Sequence, residues 1–140
     1  MQYRYATEAD CALLAQLNHQ LIKDEGHSNP MTPPELEERL RMWLTTNYKA
    51  VIFEQDSKIV AYALYRDEAS EIYLRQFFVV RHRRREGLGR RAMRVLFDNI
   101  WPKNKRLTVE VLWHNRPAVQ FWKSVGYEEY SLALEIPPRP

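Results

Sequence analysis

Apolar positions along the chain change their spacing several times, and each change marks a predicted element. Leucines recur at every third or fourth position early in the chain, which predicts a helix that Thr7 caps and that ends near Lys23. A capping Thr32 followed by two prolines predicts a second helix through about Trp43. The apolar runs that predict strands instead are 3–6, 50–54, 59–65, 71–80, 107–111 and 130–136.

Two further helical patterns lie in the second half of the chain. One begins at Leu88 and is terminated by Trp101 and Pro102, and the other has an apolar face from Ala118 to Val125. The mixture of helices and strands predicts an α/β or α+β sandwich. At 140 residues, the chain is expected to form a single domain that spans residues 1–140.

The segment between Phe77 and Gly89 combines an apolar run, a cluster of arginines and two glycines before a helical pattern. The first turn of a helix has backbone N–H groups without an intrahelical acceptor, and the helix dipole adds partial positive charge there. Gly87 and Gly89 allow a ligand to approach this backbone closely, and arginines add charge-assisted hydrogen bonds. The segment therefore predicts a phosphate-binding loop, although it matches neither the dinucleotide-binding nor the Walker glycine pattern.

A second motif begins at Asn115 and ends at Tyr127, with the pattern Asn-x-x-Ala-x-x-Phe-Trp-x-x-x-Gly-Tyr. Together with the loop Arg-x-x-Gly-x-Gly that begins at Arg84, it resembles the GNAT family of acetyl-CoA-dependent N-acetyltransferases. The resemblance covers about residues 70 to 130. It implies a mixed, largely antiparallel sheet with helices on both faces, and transfer of an acetyl group to a primary amine of a small molecule or peptide by direct attack.

The resemblance also implies acetyl-CoA as the cosubstrate, with no metal. In the family, the fourth and fifth strands splay apart and the pantetheine arm inserts between them, so that Phe77 or its neighbour would direct a main-chain N–H at the acetyl oxygen. By the motif, Asn115 would hydrogen-bond the pantetheine arm. An Asn before Arg116-Pro117 also caps a helix, and the two roles are compatible. The residues expected to bind acetyl-CoA are Phe77, Val79, Arg84, Arg85, Glu86, Gly87, Leu88, Gly89, Arg90 and Asn115.

Acetyl transfer needs an uncharged amine, a polarised carbonyl and a stabilised leaving thiolate. Many family members carry a tyrosine acid where this chain has Trp122, whose indole N–H has no useful acidity. If no bulge intervenes, strand alternation places Glu71, Tyr73, Arg75 and Phe77 on one face, so Glu71 is the preferred base. An amine that loses its proton to water needs no dedicated base. The candidate catalytic residues are Glu71, Tyr73 and Glu110.

The acceptor is expected near the connection between the first two helices. Acidic residues there favour a cationic amine, whereas Arg75, if it points into the cleft, favours a carboxylate such as that of an amino acid or a peptide end. The expected substrate-binding residues are Asp24, Glu25, His27 and Arg75.

Two other classes of function remain open. The net charge is +3, and the arginines crowd into residues 81–94, so a nucleic-acid-binding module is an alternative. It is disfavoured because no aromatic residues interleave with the arginines. A coenzyme A-binding regulatory domain without catalysis is the other alternative, suggested by Trp122 and Tyr73.

Cysteine content and hydropathy predict the environment of the protein. Cys11 is the single cysteine, so an intramolecular disulfide is excluded, and it is expected to be a buried packing residue. No apolar run approaches the length of a membrane span, and a cytoplasmic protein is therefore expected. The predicted strand at 130–136 would leave an edge that a second copy could cover, which predicts a homodimer.

Overall fold

The computed structural model describes residues 1–26 and 28–140. Its strands are β1 (Gln2–Tyr5), β2 (Tyr48–Gln55), β3 (Lys58–Asp67), β4 (Glu71–Val79) and β5 (Arg106–Val109). Its α-helices are α1 (Cys11–Asp24), α2 (Pro33–Trp43), α3 (Leu88–Val95) and α4 (Arg116–Ser124). None of the described helices is long and apolar enough to cross a membrane. The chain divides into two compact units, Met1–Glu110 and Val111–Pro140.

The first unit is built on a sheet with the strand order β1-β2-β3-β4-β5. Neighbouring strands are antiparallel except for β4 and β5, which run parallel. A parallel pair needs a crossover connection, which α3 and the π-helical turn Leu96–Ile100 provide. This mixed, largely antiparallel sheet confirms the predicted fold class.

Helices pack on both faces of this sheet, as predicted. On one face, Cys11 and Leu14 of α1 join a buried cluster with Tyr62 and Phe78 of the sheet. Burial raises the pKa of the Cys11 thiol, which fits the predicted packing role. On the opposite face, the ring of Tyr65 meets Trp101, the residue after the π-helical turn, edge-on at 5.4 Å.

Local sequence fixes the helix starts and the β2–β3 hairpin. The backbone N–H of Glu35 donates to Thr32 Oγ1 at 3.4 Å, and the Glu35 carboxylate accepts from the Thr32 N–H at 2.9 Å, so the predicted cap of α2 is a reciprocal capping box. In the hairpin, Asp56 and Ser57 have φ angles of 54° and 63°. Two successive left-handed residues form the tight turn whose twist matches that of the strands.

A bulge interrupts the middle of β4. Leu64 of β3 pairs with Gln76, whereas the next residue, Tyr65, pairs with Leu74. Arg75 is therefore an extra residue in β4 with no opposite number in β3.

The bulge changes which side chains of β4 share a face. Tyr73 lies opposite Arg66 and Phe77 lies opposite Ala63, and positions 63 and 66 of β3 alternate to opposite faces. The expectation that Phe77 shares a face with Tyr73 is therefore wrong. Glu71 and Tyr73 both precede the bulge and share a face, as expected.

The second unit contains α4 and an extended C-terminal segment. Residues 130–136 form no strand, so that prediction is wrong. Alternate residues of this segment are largely exposed, at 84% for Tyr130, 69% for Leu132, 87% for Leu134 and 75% for Ile136. Alternating apolar residues suit one face of a pleated sheet, but they form a strand only where a neighbouring strand is available to pair with them. The predicted homodimer needed the edge of this strand, and it stays a prediction without that edge.

Candidate active site

The loop between β4 and α3 has the backbone of an anion site. Gly87 precedes α3 with φ 75°, a left-handed conformation that residues other than glycine rarely adopt. A Cβ at Gly87 would meet no atom within 4 Å, so conformation rather than crowding requires the glycine. The N–H of Arg91 donates to the Gly87 carbonyl at 3.1 Å. This is the first hydrogen bond of α3. The N–H groups of residues 88–90 lie in the first turn of the helix, where backbone donors have no intrahelical acceptor.

Two arginines of the loop act as anchors. Arg81 and Arg84 pair with the Asp24 carboxylate at 2.7 Å and 2.8 Å. Arg84 Nε also donates to the Val79 carbonyl at 2.9 Å, and its guanidinium lies over the ring of Phe78. These contacts fasten the loop to the end of β4 and to the end of α1.

Asp24, expected to bind the substrate, is thus engaged by the loop. Burial raises the pKa of Asp24, but hydrogen bonds from Arg81 and Arg84 outweigh that effect, and the pKa lies below its ordinary value. The Asp24 carboxylate is therefore ionised at neutral pH and holds both arginines.

The remaining predicted residues of the loop differ in what they present to solvent. Arg85 has φ 67°, a left-handed conformation unusual for a side chain of this size, and is exposed, as is Arg90. Glu86 pairs with Arg83 at 3.2 Å. The side chain of Leu88 is buried, so it offers a ligand its backbone alone. Gly89 lies in the first turn of α3.

Strands β4 and β5 part halfway along β4. Their parallel pairing begins at Glu71 opposite Arg106 and stops at Leu74 opposite Val109. Strand β4 continues to Val79, beyond the end of β5. The main chain of residues 75–79, which includes Phe77 and Val79, therefore extends past the strand that pairs with it on that side. Backbone groups on such an edge can pair with the amides of an extended ligand.

Tyr73 and Glu110 come together where the two strands part. The Glu110 carboxylate lies close enough to the Tyr73 hydroxyl to interact with it electrostatically. Burial and, after it, this carboxylate raise the pKa of Tyr73 to about 12, so the phenol keeps its proton at neutral pH. Glu110 is exposed and directly follows the last residue of β5.

Glu71 lies at the opposite end of the β4–β5 pairing, in its first residue pair. Its carboxylate accepts a hydrogen bond from Thr108 Oγ1 at 2.7 Å and lies 3.4 Å from Arg106 Nη1. At a rise of about 3.3 Å per residue, Glu71 is about 13 Å along β4 from the bulge at Arg75. The geometry therefore favours Glu110 over Glu71 as a base.

The face of the sheet covered by α2 carries a cluster of cations and aromatic rings that includes Arg75. Arg75 Nη1 donates to the Tyr48 hydroxyl at 3.3 Å, and its guanidinium carbon lies 4.6 Å from the centre of the Trp43 ring. Arg39 lies 4.4 Å from the same ring, and Tyr48 stacks on it at 4.9 Å. Sequence reasoning missed Arg39 and Trp43, although their spacing of four residues on a helix places them side by side.

The other residues expected to bind the substrate are Glu25 and His27. Burial raises the pKa of the Tyr62 hydroxyl, and the nearby Glu25 carboxylate raises it further. Tyr62 donates to Gln76 Oε1 at 2.9 Å. Glu25 directly follows α1, which packs on the face of the sheet that carries Tyr62. His27 lies outside the described residues.

In the second unit, Asn115 caps α4. Its Oδ1 accepts from the Ala118 N–H at 3.4 Å, which confirms the capping interpretation of this residue. Trp122 packs edge-on against Tyr127 at 5.6 Å and against Phe121 at 5.0 Å. The indole thus serves the packing of its own unit.

Among residues 1–26 and 28–140, no group of three His, Cys, Asp or Glu side chains is arranged to hold a metal ion.

A mixed sheet whose fourth and fifth strands part beside a glycine loop and a helix start is the arrangement of an acyltransferase fold. The chain belongs to the acetyltransferase (GNAT) family, whose model matches residues 14–127. The resemblance drawn from the two motifs is confirmed, and so is the predicted enzyme class.

Solved structures share this fold across nearly the whole chain. A possible acetyltransferase from Clostridium difficile 630 is 18% identical, with a TM-score of 0.79 over 99% of this chain and 97% of that one. A predicted acetyltransferase with acetyl-CoA from Clostridium acetobutylicum is 19% identical, with a TM-score of 0.73 over 96% and 94%. The aminoglycoside antibiotic 6'-N-acetyltransferase AAC(6')-IG from Acinetobacter haemolyticus is 13% identical, with a TM-score of 0.77 over 100% and 99%. No curated protein matches the sequence significantly.

Proposed function

We propose that the chain is an acetyl-CoA-dependent N-acetyltransferase that acetylates a primary amine of a small molecule or peptide by direct attack. The main support is the continuous path from the half of β4 that extends beyond the end of β5 to the glycine loop at the start of α3. The structural neighbours named for acetyl-CoA and for aminoglycoside 6'-N-acetylation are consistent with it. We also propose that both units belong to one acetyltransferase domain, since the family match crosses their boundary.

The donors of the loop suit a diphosphate with an extended amide arm. Backbone N–H groups of residues 88–90 and the exposed cations Arg85 and Arg90 would hold the phosphates. The main chain at Phe77 and Val79 would pair with the pantetheine amides. A bound acetyl-CoA would supply the acetyl group as a thioester. A pantetheine contact of Asn115 stays a prediction from the family resemblance.

Tyr73 and Glu110 would handle the proton of the acceptor amine. Glu110 would accept this proton, directly or through one water, as the nitrogen attacks the thioester carbonyl carbon. The C–S bond would then break, and the coenzyme would leave as a thiolate that takes a proton from solvent. The Tyr73 hydroxyl, which keeps its own proton, would orient the carboxylate. A main-chain N–H at or beside Phe77 would polarise the acetyl carbonyl.

Thiol release from acetyl-CoA across a panel of amines tests the activity. We expect release that depends on the acceptor, and no coenzyme binding by Gly87→Val. Gly26→Val is the matched control, because Gly26 has φ 71° and equally open surroundings, and it should be destabilised similarly yet bind coenzyme normally.

Three results would contradict the proposal. Unchanged coenzyme affinity in folded Gly87→Val would remove the loop assignment. Tight coenzyme binding with no thiol release across the panel would indicate a regulatory domain. Salt-sensitive binding to duplex DNA without any response to coenzyme A would indicate a nucleic-acid-binding module.

A further inference from the structure

Two arginines share one aromatic platform on the sheet face covered by α2. The guanidinium carbons of Arg39 and Arg75 lie 4.4 Å and 4.6 Å from the centre of the Trp43 ring. The sum of these distances limits the separation of the two cations to about 9 Å, close enough for like charges to repel each other. The indole holds both side chains in place, since guanidinium groups stack on aromatic faces.

No acidic side chain of the described residues forms an ion pair with either arginine. Other arginines of the first unit do have such partners, among them Arg41 with Glu37 at 2.7 Å. Arg39 Nε is buried and, within the part of the chain that the structure describes, has no hydrogen-bond acceptor. Burial and, after it, the charge of Arg75 lower the pKa of Arg39. Such a pair of cations is unfavourable until an anion joins it.

The position of Arg75 connects this cationic pair to the proposed chemistry. Arg75 is the bulge residue of β4 and the first residue beyond the last β4–β5 pair, Leu74 and Val109. It is exposed, so a ligand in the opening between the strands can reach it. The bulge adds one residue to the strand and leaves the Arg75 side chain on the face that carries Trp43 and Tyr48.

We propose that Arg39 and Arg75 bind a carboxylate of the acceptor, so that the acceptor is an amine that also carries a carboxylate group. This assignment rests on the proposed N-acetyltransferase function and specifies its substrate class. A carboxylate offers two oxygens to the planar forks of the arginines and supplies the acceptor that Arg39 Nε lacks. A polycationic amine would instead be repelled by the pair.

Matched acceptors test the inference in the thiol-release assay. Amino acids are compared with their carboxamides, which differ in the anionic group alone, and an aminoglycoside represents the polycations. Loss of a charge-assisted hydrogen bond predicts a kcat/KM about 10- to 100-fold higher for the acid than for its amide. Ethanolamine and its phosphate ester test whether phosphate serves as well as carboxylate.

Variants assign the preference to the two residues. Arg75→Gln and Arg39→Gln should each lower kcat/KM for the acid by about 10-fold or more while changing the amide's value by about 2-fold or less. Arg39→Gln should also leave the melting temperature unchanged or raised, since it removes an uncompensated charge. Arg94→Gln, an exposed arginine on α3, is the control and should change neither acceptor's rate.

The results separate this inference from the function on which it rests. Equal rates for acids and amides in the wild type, or a preference that survives both substitutions, would overturn the carboxylate site while leaving acetyl transfer established. A preference for the phosphate ester over every carboxylate would also overturn it. Absence of thiol release with all amines would overturn the proposed function itself, and the acceptor site with it.

Discussion

Replacing Gly89 with aspartate should separate folding from coenzyme binding. Gly89 is the second residue of α3, so the new carboxylate lies in the first turn of the helix. Glycine inside a helix costs about 0.5–1 kcal/mol relative to alanine, but aspartate is itself a poor helix former and recovers little of this cost. A carboxylate near the helix N-terminus gains about 0.3–1 kcal/mol. The free energy of unfolding should therefore be unchanged or increased by up to about 1 kcal/mol, which raises the melting temperature by at most about 4 °C.

The same carboxylate would oppose a bound diphosphate. Two charges about 5 Å apart at an effective dielectric constant of about 20 repel each other by about 3 kcal/mol, or about 100-fold in Kd at low salt. Titration calorimetry with coenzyme A measures the loss, which should shrink as salt screens the charges.

Gly89→Asn is the matched control, because it has nearly the same shape and no charge. It should bind coenzyme A much more tightly than Gly89→Asp. Equal losses in the two variants would show that side-chain bulk, not charge, decides binding. Undiminished affinity in the aspartate variant would show that the phosphates bind elsewhere.

Three further predictions follow from the contacts of individual side chains. Glu110→Gln should lower kcat more than Glu71→Gln, and wild-type activity should rise with pH as the amine loses its proton; an equal or reversed order in the pair would remove Glu110 as the base. Asp24→Asn should lower stability at pH 7 and loosen the loop. Because the pKa of Asp24 is lowered on folding, its contribution is present above pH about 4 and disappears as pH falls through the folded pKa, so the melting curves of variant and wild type should converge in acid. Trp122→Phe should cost modest stability and little turnover, and Trp122→Tyr should react as fast or faster; a large rate loss in both, with coenzyme binding retained, would give the indole a chemical role.

Features encoded in a few neighbouring residues were predictable from the sequence. The Thr32 capping box, the Asn115 cap and the glycine start of α3 all depend on contacts within four residues, and the structure shows each of them. The strand at 130–136 depends instead on a partner strand. A local sequence pattern does not show whether a partner strand is present, so the predicted strand at 130–136 is wrong.

The pair of arginines on the α2 side of the sheet was predictable only in part for the same reason. Arg75 could be selected from the sequence as a cation on the predicted fourth strand. Arg39 lies on α2, far from Arg75 in the sequence. The two meet because α2 packs over the sheet and both side chains stack on Trp43. The preference for Glu71 as the base assumed an unbroken strand, and the register of β3 against β4 cannot be derived from β4 alone.

One extra residue in β4 accounts for much of what distinguishes the site from an ordinary strand pair. Before the bulge, Tyr73 faces the α2 side and pairs in register with Thr108 of β5. After it, Phe77 faces the other side, and β4 runs on beyond the end of β5. Without the extra residue, every side chain beyond position 75 would change face, and the Phe78 contact with Arg84 that anchors the loop would be lost. The bulge therefore lets one strand place an arginine on the face covered by α2, carry its main chain beyond the end of β5 and lead directly into the glycine loop.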